Sequence, residues 1–163
     1  MSERTKVLSF LKNNGINFQL YDHPAIPTIE DALIYWKNID AAHCKNLFFR
    51  NHKGNRHYLV IFDHKKVLGI HELEKKLMQG KLSFASEKRM DKYLGIKPGS
   101  VSAFGLINDS DNHVYVFLDQ QLKQFDKISF HPNDNTATVV ISLGDFERFL
   151  EISGNGFEWL ELY

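Results

Sequence analysis

Apolar positions in this chain switch between two periods, and the switches mark its elements. Val7, Leu8 and Leu11 recur at helical spacing behind Ser2, a capping residue, and ahead of Gly15, a stop, so a first helix is predicted. Ile16 to Tyr21 alternates at period two and predicts a strand, which His23-Pro24-Ala25-Ile26-Pro27 breaks. Thr28 with Asp31 resembles a capping box, opening a helix with Ile29, Ala32, Leu33 and Trp36 on one face. Two apolar runs follow, His43 to Arg50 and Arg56 to Phe62. The short Gly/Asn loop between them, Asn51-His52-Lys53-Gly54-Asn55, is a strong hairpin signal.

The second half reads the same way. Ile70 to Met78 predicts a helix with Leu73 and Leu77 inward and Gly80 as its stop. Leu82 to Ala85 is a short extended piece. Ser86 caps a helix carrying Met90 and Leu94 and ended by Gly95. Pro98-Gly99 makes a turn, and Asn108-Asp109 makes another after the small, polar run Ser100 to Ile107, whose plain reading is a turn followed by a strand. His113 to Leu118 is apolar on both faces, the mark of a central, buried strand. Lys127 to Phe130 and Thr136 to Ile141 are further strands. Ser142 and Asp145 open a helix with Phe146, Phe149 and Leu150, and Gly154-Asn155-Gly156 turns into a last strand, Phe157 to Tyr163. About seven strands interrupted by short helices, without strict βαβ alternation, predict an α+β domain with a mixed, mostly antiparallel sheet. No repeat, low-complexity segment or linker divides residues 1–163, so a single domain is expected.

Composition narrows the function. The 163 residues are 43% hydrophobic and 25% charged, ordinary for a globular chain, and no apolar run reaches the length of a membrane span. The N-terminus has no following apolar block, so no secretory signal is read there. One cysteine, Cys44, fits a reducing compartment, and a cytoplasmic protein is expected. The absence of a heptad or long apolar stripe makes a monomer the default. Twenty basic and twenty acidic residues cancel, which argues against coating long nucleic acid but not against gripping one end of a folded RNA. Eight histidines invite a metal, yet none forms His-Glu-x-x-His and no cysteine pair exists. Phosphate-binding glycine loops and Gly-x-Ser-x-Gly are also missing. Cys44, beside an apolar strand, reads as inert packing.

Three features remain. Lys45, with Asn46, opens a long apolar strand, where a cation is partly shielded; most strand lysines only reach out to solvent. The run from Pro98 to Ile107 has glycines bracketing small side chains, either a tight turn or a backbone wall that a ligand can approach closely. His131 is held extended by Pro132, either as the end of a strand or as part of a site.

Together these segments resemble the YbaK/prolyl-tRNA-synthetase-associated domain family. The likeness is carried by Lys45-Asn46-Leu47-Phe48, Leu82-Ser83-Phe84-Ala85-Ser86, Pro98-Gly99-Ser100-Val101-Ser102, Phe104-Gly105-Leu106-Ile107-Asn108-Asp109 and Phe130-His131-Pro132-Asn133, with His23-Pro24-Ala25 and Thr136-Ala137-Thr138 in support. These motifs occur in order over nearly the whole chain, most similar to the free-standing prolyl-tRNA editing branch. The resemblance implies a compact fold around a mixed, barrel-like sheet with surrounding helices. It implies hydrolysis of an aminoacyl-tRNA ester without metal or organic cofactor, with alanyl-tRNA-Pro the first candidate substrate and cysteinyl- or seryl-tRNA the alternatives. The partners it implies are the tRNA-Pro acceptor end and prolyl-tRNA synthetase. In that reading Lys45, Gly105 and His131 form the reacting centre, Lys45 holding the phosphate and sugar end of the terminal adenosine and His131 bordering the aminoacyl pocket. Gly99, Ser100, Val101, Ser102, Ala103 and Phe104 line that pocket with backbone groups, and Asn46, Asn133 and Arg50 complete the substrate-binding set. Arg50, Lys53, Lys88 and Arg89 would face the acceptor stem. The family commonly has proline where this chain has Ala103, which frees an N–H and relaxes the loop. The competing function is a catalytically silent module that holds tRNA acceptor ends.

Overall fold

Serine caps set the starts of three helices. Ser2, Ser86 and Ser142 accept from the backbone N–H groups of Thr5, Arg89 and Asp145, at the heads of α1 (Glu3–Asn13), α4 (Glu87–Leu94) and α5 (Leu143–Ser153). The structure, a computed structural model, describes residues 2–25 and 29–162. The expected Thr28 cap, the Ile26-Pro27 break and Tyr163 lie outside the described residues. Two further helices are α2 (Ile29–Trp36) and α3 (Ile70–Leu77). The strands are β1 (Gln19–Asp22), β2 (Ala42–Arg50), β3 (His57–Asp63), β4 (Ser83–Phe84), β5 (Tyr115–Asp119), β6 (Lys127–Phe130), β7 (Ala137–Ser142) and β8 (Phe157–Leu160).

The expected α+β domain with a mixed sheet is what forms. Strand order is β1-β7-β6-β2-β3-β5-β8, with β4 on β2. The β2–β3 hairpin is antiparallel, as are β1–β7, β6–β7 and β2–β4, while β2–β6, β3–β5 and β5–β8 are parallel. β5 has a neighbour on each side, and both of its faces are apolar because Val116 and Leu118 pack into one core cluster and Tyr115 and Phe117 into another.

Period-two alternation divides the sheet into two faces. On one, Phe48, Leu59, Ile61, Val116, Phe130 and Val139 meet α1, α4 and α5 in the main core. The other face is covered in two pieces. Leu73 of α3 packs with Phe49, Val60, Phe62 and Phe117, and Ala32 and Trp36 of α2 form a small separate cluster with Ile39.

Four local expectations shift, each for a physical reason. Ile16 does not begin the first strand: its N–H bonds the carbonyl of Leu11 while Gly15 (φ 68°) bonds Lys12, so it closes a Schellman motif at the end of α1. α3 ends at Leu77, with Met78 rather than a glycine in the left-handed region (φ 54°). His113 and Val114 stay out of β5 because Asp109 Oδ2 takes the Val114 N–H and Asn155 Nδ2 donates to its carbonyl. The run expected as a strand after Ser100 instead forms a 3-10 helix, Ala103–Asn108, capped by the Ser102 hydroxyl on the Phe104 N–H.

Candidate active site

The parallel strands β2 and β6 pair only at Ala42↔Ile128 and His43↔Ser129. Beyond that point β2 continues along β3 while β6 ends at Phe130. Lys45 and His131 each lie two residues past the last pair, at the mouth where the strands part. By alternation both sit on the face of His43 and Ser129, the face that α2 and α3 cover in part. The sequence candidates Lys45 and His131, 86 residues apart like the paired His43 and Ser129, thus hold equivalent positions past the last β2–β6 pair.

Neutral aromatic and histidine side chains build the surroundings. His43 stacks on Trp36 (4.4 Å between centroids, 4° between planes), and its Nδ1 is 2.6 Å from Ser129 Oγ. Burial, then the neighbouring His64, pushes His43 down to about 4. His131 Nδ1–H donates to the carbonyl of Ala137 at 2.9 Å, which leaves Nε2 as the acceptor end of a neutral ring. Burial lowers its pKa as well. His23, 6.2 Å from the His131 ring, bonds Pro24 O through Nδ1 and Thr138 Oγ1 through Nε2, both at 2.9 Å. Lys45 is half-buried, and among the described residues it forms no ion pair or hydrogen bond.

Buried polar atoms are normally satisfied, so exceptions are informative. Among the described residues they include His43 Nε2 and Asn46 Oδ1, while the Asn133 amide stands within reach of the Glu3 carboxylate of α1. Each of these residues lies within two positions of Lys45 or His131. Asn133 is also held in the left-handed region (φ 58°). Asn46 alternates to the opposite face of β2, so it flanks the mouth from the core side.

The glycine loop divides. Gly99 (φ 86°) has open space around it, and Ser100 N–H closes the turn on Lys97 O. Val101 is half-buried against the core. Ser102, Ala103, Phe104 and Gly105 are buried, and the Phe104 ring packs on Phe130 (5.6 Å) and Phe149 (5.1 Å). What these four can present to a ligand is backbone. Gly105 has a packing reason to be glycine: a Cβ there would stand 2.6 Å from Ile96 Cδ1 and 3.2 Å from Leu94 O. The loop meets β6 through Phe104 and Phe130, on the core face opposite Lys45 and His131. Arg50 is not brought to Lys45; it stands five residues, about 17 Å, along the strand.

Sequence reasoning missed the Trp36–His43 stack and Ser129, and it named His23 and Thr138 only within supporting motifs. The period-two step from Lys45 back to His43 was the available signal; the partners come from distant segments. Cys44 is partly buried against the core, and desolvation with the nearby Asp63 charge pushes its thiol far above the ordinary range, so no thiolate is available there. Among the described residues no three of His, Cys, Asp or Glu converge as metal ligands.

A half-buried lysine and a neutral histidine thus stand where β2 and β6 diverge. The chain belongs to the family described as the aminoacyl-tRNA editing domain, whose model matches residues 23–149. It is therefore an enzyme of the aminoacyl-tRNA deacylase class. It is 40% identical over 163 residues to the prolyl-tRNA editing protein ProX of Acetoanaerobium sticklandii, covering 99% of each chain. It is 31% identical over 145 residues to the prolyl-tRNA synthetase associated domain-containing protein 1 of Mus musculus, covering 86% of this chain and 85% of that one. Among solved structures it matches a candidate trans-editing enzyme for prolyl tRNA synthetase with a TM-score of 0.74, at 18% identity over 98% of this chain and 97% of that one; this likeness concerns the fold alone.

Proposed function

We propose that this protein removes the wrong amino acid from tRNA-Pro in trans, with alanyl-tRNA-Pro as its substrate, at the mouth between β2 and β6. One observation carries the reading: end-to-end similarity to a named prolyl-tRNA editing protein, in a chain whose Lys45 and His131 share that mouth.

An aminoacyl ester is already activated, so the protein needs no nucleophile of its own. It must position a water near the carbonyl and stabilise the charge that develops on the oxygen. Lys45, whose ammonium forms no ion pair among the described residues, holds the phosphate and sugar of the terminal adenosine. His131 Nε2, an acceptor, orders the water or the substrate amine, and its ring limits the pocket. Asn46 offers its Oδ1, which lacks a partner among the described residues, and the Gly99 to Gly105 segment offers backbone groups other than the Ser100, Phe104 and Gly105 N–H groups, which are already bonded. The neighbouring ribose hydroxyl of the substrate assists the attack. A small pocket admits alanine and excludes proline, which protects correctly charged tRNA. Such a sieve is needed because discarding a slightly smaller amino acid by binding alone gives roughly 10–200-fold.

Hydrolysis of tRNA-Pro esterified with alanine, cysteine, serine or proline tests this directly. Release of alanine with proline spared supports it. Release of cysteine or serine in preference to alanine moves the substrate assignment, and no release of any of them overturns the reading.

A further inference from the structure

A second cluster lies at the other end of the β2–β3 hairpin, outside the site described above. Arg89 of α4 donates through Nη1 to the carbonyl of Gly54 (2.9 Å) and to Nε2 of His57 (2.8 Å). A guanidinium can only donate, so His57 Nε2 is the acceptor and its proton sits on Nδ1. That N–H donates to His113 Nε2 at 2.8 Å. His113 in turn stacks on Tyr93 at 4.5 Å. The arginine is thereby held rigid, with both its guanidinium and that of Arg50 beside Gly54. His57 sits among His113, Arg89, Lys92 and Arg50, and burial with these charges holds it down to about 4.

Next to this cluster, where β3 and β5 begin, is a groove of about 400 Å³. Arg56, His57, Tyr58, His113, Tyr115 and Glu158 are among its lining residues. Among the described residues none of Arg50, Arg56, Arg89 or Lys92 forms an ion pair, whereas Arg4, Lys6 and Arg148 are each paired with a carboxylate. The acid in the groove, Glu158, accepts from the Tyr115 hydroxyl at 3.2 Å rather than neutralising a cation. Unpaired guanidinium groups beside aromatic rings are the elements that bind single-stranded nucleic acid: cations follow the phosphates and rings stack on bases.

We propose that this groove is a second RNA subsite, taking a nucleotide upstream of the esterified end, with its base against Tyr115 and His113, its phosphate at Arg56, and the adjoining phosphates along Arg50 and Arg89. Glu158 is left to accept from a base amino group. The inference rests on the reading above that the substrate is a tRNA. Lys45 stands opposite Phe62 on β3, and Tyr58 is four residues, about 13 Å, further along that strand. The groove therefore engages a nucleotide other than the one whose ester is cut.

The test uses an unacylated RNA hairpin with a single-stranded 3′ acceptor end, its binding read by fluorescence anisotropy, so no turnover is required. Arg56→Glu weakens binding roughly tenfold and lowers the salt dependence of log Kd by about one. Lys12→Glu, at the end of α1, leaves binding as in wild type. With charged tRNA, Arg56→Glu raises KM by a similar factor and holds kcat within about twofold, while hydrolysis of alanyl-adenosine, which lacks upstream nucleotides, is unchanged. Should Arg56→Glu fold poorly, Arg56→Ala gives the same pattern at about half the logarithmic effect. Wild-type protein that does not bind the hairpin, or Arg56 variants that bind it normally, overturns the subsite. Arg56-dependent binding without cleavage of any ester would sink the deacylase reading and leave the subsite standing.

Discussion

On one face of the sheet, the rings of Phe104, Phe130, Phe146 and Phe149 interlock under α1, α4 and α5. On the other, α2 and α3 cover the strands separately, and Lys45, His43 and His131 lie along the partly covered face. The first face buries aromatic and aliphatic side chains, and its buried polar groups Ser102, Asp109 and His57 are hydrogen-bonded. The second keeps a lysine without an ion pair, and His43 Nε2 without a hydrogen bond, among the described residues. The difference teaches that the packing of this domain and its candidate Lys45–His131 pair lie on opposite sides of the same strands, so substitutions at those two positions separate stability from the proposed chemistry.

The sharpest break in that comparison is Phe104→Ala. It opens a cavity in the main core and costs about 3–5 kcal/mol, read as a fall in the urea midpoint with little change in slope. A loss below about 1 kcal/mol would mean that the loop is not part of the core. Next comes pH, which probes one histidine on each side. His43 and His57 are each held down to about 4 when folded, against about 6.5 when unfolded. Between those values the unfolded chain binds more protons, so each contributes stability that is complete above about pH 6.5 and is lost as pH falls toward 4. From pH 7 to pH 5 that amounts to about 2 kcal/mol per histidine, seen as a falling urea midpoint; a flat profile would mean that neither ring is buried neutral.

Gly105→Ala sharpens the roles within the loop. Its methyl would press on Ile96 and the Leu94 carbonyl, costing about 1–3 kcal/mol in stability. If stability is unchanged while activity vanishes, glycine is there for the substrate rather than for packing. The smallest effect is expected from Ala103→Pro. Ser102 before it is extended (φ −153°, ψ 152°), as a residue before proline must be, and Ala103 is the first residue of its 3-10 helix. Thermal unfolding should shift by less than about 1 kcal/mol in stability; a larger loss would show that the Ala103 N–H or its space is in use.

Much of this architecture is local and was legible in sequence. Ser2, Ser86 and Ser142 announce their helices, Gly95 and Gly154 end theirs, and the Gly54 loop announces its hairpin, because caps and turns depend on a few adjacent residues. Where reading failed, a distant group had taken over. Val114 leaves the ladder because Asp109 and Asn155 claim its backbone, and the run after Ser100 coils because Gly105 must fit against α4. The site was half legible. Lys45 and His131 stood out by motif, but only the β2–β6 register brings them together. The stacking of Trp36 on His43, and the lock of His57 by Arg89, join residues from separate elements that no spacing rule relates.

The most direct measurement is hydrolysis of alanyl-tRNA-Pro by wild type and Lys45→Ala, with urea unfolding of the same two proteins. Expected are a loss of roughly 100-fold or more in kcat/KM and a stability change within about 1 kcal/mol, because the Lys45 ammonium has no ion-pair partner among the described residues. Near wild-type hydrolysis by a folded Lys45→Ala protein would contradict the role proposed for Lys45.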